Sequence, residues 1–224
     1  MQLNNNNNLK IIPGLLLLSL PFSASAHTIN YVLEKAPAGD VIWYYLKLGI
    51  SHIVPYGLDH ILFVVSLCLL NTKFKTILWQ ATAFTVAHTI TLALSMKGII
   101  KLPSDIVEPL IALSIAFVAI ENILLSELKA WRMAIIFMFG LVHGMGFASA
   151  LNEIGLPGNK FFTSIFSFNV GVELGQISVI AIVYLLLILP FGKKSWYRTI
   201  IAYPLSAMIA LIALFWTFQR IFQF

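Results

Sequence analysis

Four of the five histidines in this chain lie in stretches that are otherwise apolar enough to cross a membrane. Two carboxylates lie in similar stretches, and the full set is His52, Asp59, His60, His88, His143 and Glu173. An ionisable side chain in hydrocarbon costs several kcal/mol, so such residues usually face the interior of a helix bundle and have a function there. Imidazoles combined with carboxylates indicate a transition-metal site, a proton path, or both.

The first membrane stretch carries the densest group of these side chains. In a continuous α-helix, the angular position of Asp59 around the helix axis differs from that of His52 by about 20°, and the position of His60 differs from it by about 80° in the other direction. One face of the helix would therefore hold all three residues. Pro55 and Gly57 interrupt this stretch, and interruptions are tolerated in membranes where the freed backbone groups line a cavity. Transporters often bind ions at such broken helices. The alternative is a proline-kinked helix in which Asp59 and His60 form a structural pair.

Two further histidines have small or hydroxylic neighbours. His88 has Thr85 and Thr89 on its helical face, and these hydroxyls could orient the imidazole. His143 lies between Gly140 and Gly144, a small-xxx-small pattern that allows another helix to approach closely. Either histidine could instead be structural, with its ring bonded to a backbone carbonyl.

The fifth predicted span carries a narrow polar stripe, in which Asn169, Glu173 and Gln176 follow at steps of four and three. The amides could simply bond neighbouring helices, but a carboxylate between them requires a cation, a proton or a metal. In the third span, Glu121 is a possible relay for ions, together with the two amides of the stripe. Glu108, at the outer end of that span, is expected to be solvated.

The composition identifies the class of protein that positions these residues. Of the 224 residues, 59% are hydrophobic and 10% are charged, and the mean hydropathy is +0.91; ordinary globular domains carry about 25% charged residues. We therefore predict an all-α, polytopic membrane protein. The net charge of +5 lies mainly in short loops, where it indicates topology rather than a surface for nucleic acid. The single cysteine, Cys68, excludes an intramolecular disulfide.

The first 26 residues have the layout of a cleaved signal peptide, with a polar start, an apolar core at 11–20 and the small-residue site Ala24-Ser25-Ala26. Cleavage after Ala26 would make His27 the N-terminus, where the free amine and the imidazole could chelate a metal together. The alternative is that His27 is incidental, because terminal residues are usually mobile. The predicted domains are the signal peptide, 1–26, and a single transmembrane domain, 27–224.

Hydropathy predicts a bundle of six transmembrane helices after an amphipathic segment at 30–47. The spans are 48–70, 76–96, 106–125, 132–151, 166–189 and 199–219, each about the 20 residues needed to cross a bilayer. With the mature N-terminus exported, the inner loops carry seven positive charges and the outer loops three, in agreement with the positive-inside rule. The sixth span has few polar groups and is expected to be scaffold.

This orientation allows the depths of the ionisable residues to be compared. At ~1.5 Å per residue, Asp59 and His60 lie roughly 17 Å from the outer end of their span, His88 and His143 about 12 Å and Glu173 about 10 Å. The second and fourth spans run opposite to the first and fifth, so helical spacing does not force this agreement. We expect these residues to share one layer of the bundle.

Four sequence blocks resemble the HupE/UreJ family of small bacterial membrane proteins. From about residue 49 to residue 176, the blocks are His52-x-x-Pro55-x-Gly57-x-Asp59-His60, Phe84-Thr-x-Ala-His88-Thr-x-Thr-Leu92, Phe139-Gly-Leu-Val-His143-Gly-x-Gly-Phe147 and Phe168-Asn-x-Gly-x-Glu173-x-Gly-Gln176. The resemblance implies a protein of the bacterial inner membrane that takes up nickel or cobalt. It also implies ligands among the first-span histidines and Asp59, and a histidine soon after the signal peptide, which fits His27.

Our interpretation is a secondary permease for a divalent transition-metal ion, nickel or cobalt first, with zinc and copper also compatible with imidazole ligands. The central ligand candidates are Asp59, His60, His88, His143 and Glu173. His52 and His27 are candidate ligands at the entrance. The expected partners are the metal ion and the lipid bilayer, with no nucleic acid, and the oligomeric state is left open.

Two other functions remain open from the sequence. One is an intramembrane zinc-dependent hydrolase, and the other is a metal-delivery or sensing subunit that does not transport. Because the chain has no nucleotide-binding P-loop, a proton gradient or the membrane potential is the simplest driving force for transport.

Overall fold

The computed structural model describes residues 33–222, which form helices and no strand. Seven long α-helices follow one another in this range: α1 (Ala38–Ile53), α2 (Leu58–Leu70), α3 (Phe74–Met96), α4 (Ser104–Leu124), α5 (Arg132–Ile154), α6 (Phe161–Val183) and α7 (Tyr203–Phe222). A π-helical turn, Tyr184–Ile188, extends α6, and another, Arg198–Ala202, leads into α7. The predicted signal peptide and His27 lie outside the described residues.

The described part of the chain contains five segments that are long and apolar enough to cross a membrane individually. They are Phe74–Met96, Ser104–Leu124, Arg132–Asn152, Gly158–Phe191 and Arg198–Phe222. The pair α1 and α2 makes a sixth if it is counted as one bent span. The prediction of an all-α polytopic membrane protein is therefore confirmed, and the last five predicted spans fall on these five segments.

The first span differs from its prediction. Its first helix, α1, begins at Ala38, so part of the predicted lead-in belongs to the same helix as His52. The helix ends at Ile53, and α2 departs at an angle of 68°. Pro55 excludes helical geometry in the residue before it, and at Gly57 a Cβ would lie 2.1 Å from the carbonyl oxygen of His52, so only glycine fits this turn. The argument that one continuous helical face carries the polar residues of this span is therefore wrong.

Close helix packing places the histidine-bearing segments against their neighbours. The main helix pairs are α3 with α5, α1 with α6 and α4 with α7. At Gly144 of α5, a Cβ would lie 2.3 Å from the carbonyl oxygen of His88, and at Gly140 it would lie 2.4 Å from that of Phe84. These distances are too short for any side chain, so the small-xxx-small pattern brings the backbones of α3 and α5 into contact. As a consequence, the backbone of α5 packs directly against the backbone of α3 at His88.

Candidate metal centre

Three imidazoles from three helices converge inside the bundle. His52 lies in the last turn of α1, His60 in the first turn of α2 and His88 in α3. One possible ligand atom from each residue lies within 4.8 Å of the other two. The Nε2 atoms of all three rings are buried and have no hydrogen-bond partner within residues 33–222. We call these residues the three-histidine group.

The spacing of the three-histidine group fits a single transition-metal ion. A ring nitrogen bound to such an ion lies about 2.0–2.1 Å from it, so two nitrogens are about 3.4 Å apart at the tetrahedral angle and about 4.2 Å apart on opposite sides. The observed limit of 4.8 Å is about 0.6–1.4 Å wider, so the rings would have to move closer together by side-chain rotation to bind one ion. A buried ring nitrogen without a partner is also costly, and a bound cation would supply that partner.

A side-chain amide selects the tautomer of His88. Asn169 donates through Nδ2 to the carbonyl of Ile165 at 2.8 Å, which leaves its Oδ1 facing His88 Nδ1 at 3.0 Å. Because an amide oxygen only accepts hydrogen bonds, Nδ1 carries the proton and Nε2 keeps its lone pair. Metal-binding histidines are commonly oriented through the other ring nitrogen in this way.

A fourth imidazole, His143, lies beside the three-histidine group. Its ring centre is 5.0 Å from that of His60. Ser114 donates its hydroxyl proton to the carbonyl of Ile111 at 2.7 Å and therefore accepts from His143 Nε2 at 2.9 Å. The remaining lone pair is on His143 Nδ1, which is buried without a partner among the described residues.

Aromatic rings surround these imidazoles and make their environment apolar. The ring centre of Phe147 is 3.9 Å from that of His52, and the ring centre of Phe84 is 5.8 Å from that of His60. Phe84 is fully buried. Such an environment excludes water and strengthens the attraction between a ligand and an ion.

A pocket of about 410 Å³ at one end of the bundle is lined by His52, His60 and His143, whereas His88 is not part of its lining. Its buried wall includes His60 and His143, and its more exposed wall includes Asp59, Glu108 and Arg220. This end, where α4 begins and α7 finishes, is called the pocket end. The pocket therefore adjoins three of the four imidazoles.

The structure places Asp59 in an ion pair instead of in the three-histidine group. Both of its carboxylate oxygens accept from Nη2 of Arg220, at 3.0 and 2.9 Å. The same arginine donates through Nη1 to the carbonyl of Glu108 at 3.0 Å, and Glu108 Oε2 lies 3.5 Å from Nη1. Glu108, expected to be solvated, therefore belongs to this pair as well, although its side chain is 42% exposed.

The polar stripe of α6 faces threonines of α3. Thr82 donates to Glu173 Oε1 at 2.6 Å, and Thr85 donates to Gln176 Oε1 at 3.2 Å. Glu173 Oε2 and Gln176 Nε2 are buried without partners in the described range. Together with Asn169 beside His88, this stripe forms a polar seam between α3 and α6, and the structure does not place Glu173 in the three-histidine group.

Glu121, the possible relay, is ion-paired at the opposite end of the bundle. Arg132 donates to Glu121 Oε2, to Gln80 Oε1 at 3.0 Å and to Asn122 Oδ1 at 3.2 Å. The side chains of Arg132 and Glu121 are only 2% and 5% exposed. The ion pair at this end is therefore buried, whereas the one at the pocket end is partly exposed.

Two contributors to this region, Arg220 and Ser114, were not identified from the sequence. The predicted sixth span ends at residue 219, so Arg220 falls in the tail, but α7 continues to Phe222. An arginine within the last turn of an apolar helix is a usable signal, because such a charge usually finds a partner. Ser114 gave no signal, because its role depends on an approach between α4 and α5.

A family model described as HupE / UreJ protein matches residues 28–220, most of the chain. No curated protein and no solved structure matches it. The matched range includes every helix described above except the last two residues of α7. Because this family model covers most of a chain that forms a multi-pass helical bundle, the chain belongs to the HupE/UreJ family.

Proposed function

We propose that this protein is a secondary permease for a divalent transition-metal ion, nickel or cobalt in the first place, and that His52, His60 and His88 hold the ion in transit. The observation that carries the proposal is the convergence of three imidazoles from three helical segments, with buried Nε2 atoms that have no partner in the described range. Membership of the HupE/UreJ family supports nickel or cobalt as the cargo. Ligand chemistry alone would also accept zinc or copper.

The proposed route starts in the pocket, which faces the exported side if the inner loops carry the excess of positive charge. The ion passes Asp59 and reaches the three-histidine group, with His143 available as a further nitrogen ligand. The seam of Asn169, Glu173 and Gln176 then offers polar groups towards the opposite end of the bundle. In this proposal the protein lies in the bacterial inner membrane, and His27, which lies outside the described residues, remains a candidate ligand at the entrance.

Uptake into proteoliposomes tests the proposal. Accumulation of isotope-labelled Ni²⁺ or Co²⁺ is expected with the unaltered protein, and His60→Ala is expected to abolish it because one of three ligands is lost. Asp59→Ala is also expected to reduce uptake. Thr217→Ala is a suitable control, because this hydroxyl only bonds its own helix at Ala213, at 2.8 Å. Equal uptake by His60→Ala and the unaltered protein would contradict the proposal.

The open pocket beside the histidines also supports a second candidate, the intramembrane zinc hydrolase. Catalytic zinc commonly has three protein ligands and one open position for water, and a pocket next to three imidazoles is compatible with this arrangement. Zinc that is retained tightly through dialysis, with no Ni²⁺ or Co²⁺ flux, would favour the hydrolase. Retention without flux and without hydrolysis of lipid or peptide would favour a delivery or sensing subunit.

A further inference from the structure

An arginine at the pocket end holds carboxylate and carbonyl oxygens from two helices. Nη2 of Arg220 contacts both oxygens of Asp59, and Nη1 contacts the backbone carbonyl of Glu108 and faces its carboxylate. Asp59 belongs to α2, Glu108 to α4 and Arg220 to α7. Four oxygen atoms are thus directed at one guanidinium group.

The same oxygens would suit a hard divalent cation if the arginine were absent. Ca²⁺ and Mg²⁺ bind carboxylate and carbonyl oxygens, and they complete their coordination with water. The side chains of Asp59, Glu108 and Arg220 are 23%, 42% and 24% exposed and line a pocket, so the protein leaves room beside them for water ligands. Two carboxylates carry two negative charges, and the guanidinium reduces the total to one.

We propose that Arg220 is a specificity-determining residue, whose guanidinium fills an all-oxygen site in the pocket and thereby denies that site to Ca²⁺ and Mg²⁺. An arginine is always charged and has donors but no acceptor, so it satisfies the carboxylates without becoming a ligand itself. Because it is tethered to α7, it does not exchange with cations from solution. Ions that prefer nitrogen ligands can then pass to the imidazoles, which hard cations bind poorly.

The position of the Asp59–Arg220 ion pair explains why excluding Ca²⁺ and Mg²⁺ there matters. Asp59 and Arg220 line the same pocket as His60 and His143. A hard cation held at Asp59 would occupy the route and repel the next cation. The inference rests on the proposed metal route through this pocket, but its central test does not require nickel.

Binding of isotope-labelled Ca²⁺ to the purified full chain in detergent tests the inference. Arg220→Gln is expected to gain one saturable Ca²⁺ site with a Kd of about 0.1–1 mM, the range of weak oxygen-ligand sites. The double variant Asp59→Asn with Arg220→Gln is expected to lose that site again. Arg198→Gln is a matched control, because Arg198 lies in the π-helical turn that precedes α7, at the end away from Arg220, and donates to the backbone carbonyls of Leu125 and Ser126.

Competition in proteoliposomes supplies the second measurement. Ca²⁺ at about 1 mM is expected to reduce Ni²⁺ uptake about 2- to 11-fold more in Arg220→Gln than in the unaltered protein, because a site with a Kd of about 0.1–1 mM would be between half and nine-tenths occupied. If no variant takes up Ni²⁺, the proposed function fails, while the Ca²⁺ binding data still decide whether Arg220 closes an oxygen site.

Two results would overturn the inference. One is a folded Arg220→Gln protein, with a single sharp gel-filtration peak, that binds no Ca²⁺. The other is equal Ca²⁺ binding by the unaltered protein. If Arg220→Gln does not fold, Arg220→Lys is the second variant, because it keeps the positive charge without the two-pronged guanidinium. Partial Ca²⁺ binding is expected for Arg220→Lys. Complete exclusion of Ca²⁺ by Arg220→Lys would show that charge alone protects the pocket and would contradict the proposed filling of the site.

Discussion

The substitution Gly144→Ala perturbs the three-histidine group without removing any ligand. In α5, the new Cβ would lie 2.3 Å from the carbonyl oxygen of His88 and 2.4 Å from Thr91 Oγ1. Ordinary contact begins at 3.4 Å, and a backbone carbonyl within a helix cannot rotate away. We therefore expect α3 and α5 to separate by roughly 1 Å at this point, since overpacked groups force backbone shifts.

The size of the effect follows from this displacement. Overpacking of this kind costs about 1–3 kcal/mol of stability. The shift also moves His88 relative to His52 and His60. These two histidines lie on α1 and α2, whereas the overlap at Gly144 acts on α3. A ligand displaced by about 1 Å is expected to weaken metal binding roughly 10–100-fold, as loss of orienting contacts does in other metal sites.

Titration calorimetry with Ni²⁺ or Co²⁺, together with thermal unfolding, measures both effects. Gly146→Ala is the matched control in the same helix, because its Cβ would overlap the end of the Ile111 side chain, at 2.6 Å, and that methyl group can move. The other neighbours of this Cβ, in Val107 at 3.4 Å and Glu108 at 3.9 Å, are at ordinary contact distances. The control is expected to bind metal within about twofold of the unaltered protein, because a flexible side chain relieves the overlap. If Gly144→Ala bound metal as tightly as Gly146→Ala, the close approach of α5 would not position His88, and the reasoning would be refuted.

Three further predictions concern partners of buried polar groups. Arg132→Ala is expected to lower the free energy of unfolding by about 3–5 kcal/mol, because it leaves the buried carboxylate of Glu121 uncompensated; chemical denaturation measures this, and an unchanged midpoint would contradict it. Asn169→Ala removes the acceptor that fixes the ring of His88, so metal affinity should fall about 10–100-fold in calorimetry with little change in melting temperature. Tyr45→Phe removes a 2.7 Å hydrogen bond to a backbone carbonyl after α5 and should cost about 0.5–1.5 kcal/mol in the same denaturation assay.

The helices could be predicted from the sequence because apolar length is a strong signal. A segment of about 20 apolar residues has few alternatives to a membrane helix, and the five later spans were placed on this basis. The first span was harder, because the break at Pro55 was visible but the 68° bend was not. A proline predicts that a helix is interrupted, whereas the angle after it depends on packing against other helices.

Only part of the candidate site could be predicted, because contacts between helices also depend on packing. The spacing of His52 and His60 was interpreted with an unbroken helix. The two rings are nevertheless close, with centres 4.7 Å apart, because the short turn between the helices places the start of α2 next to the end of α1. For Asp59 and Glu121, sequence position gave depth but not partners. Their partners are Arg220 and Arg132, which are 161 and 11 residues away and which no helical periodicity links to them.

A common physical rule explains which side chains were left for an ion. In an apolar interior a carboxylate is costly unless a cation accompanies it, and in this bundle Asp59 and Glu121 each have an arginine. A neutral imidazole is less costly to bury, so His52, His60 and His88 can remain without partners for their Nε2 atoms. A divalent ion held by these neutral ligands would keep its full charge. Such a site would bind an ion less tightly than a site rich in carboxylates or thiolates, which fits the proposed role as a permease, because a permease must release its cargo.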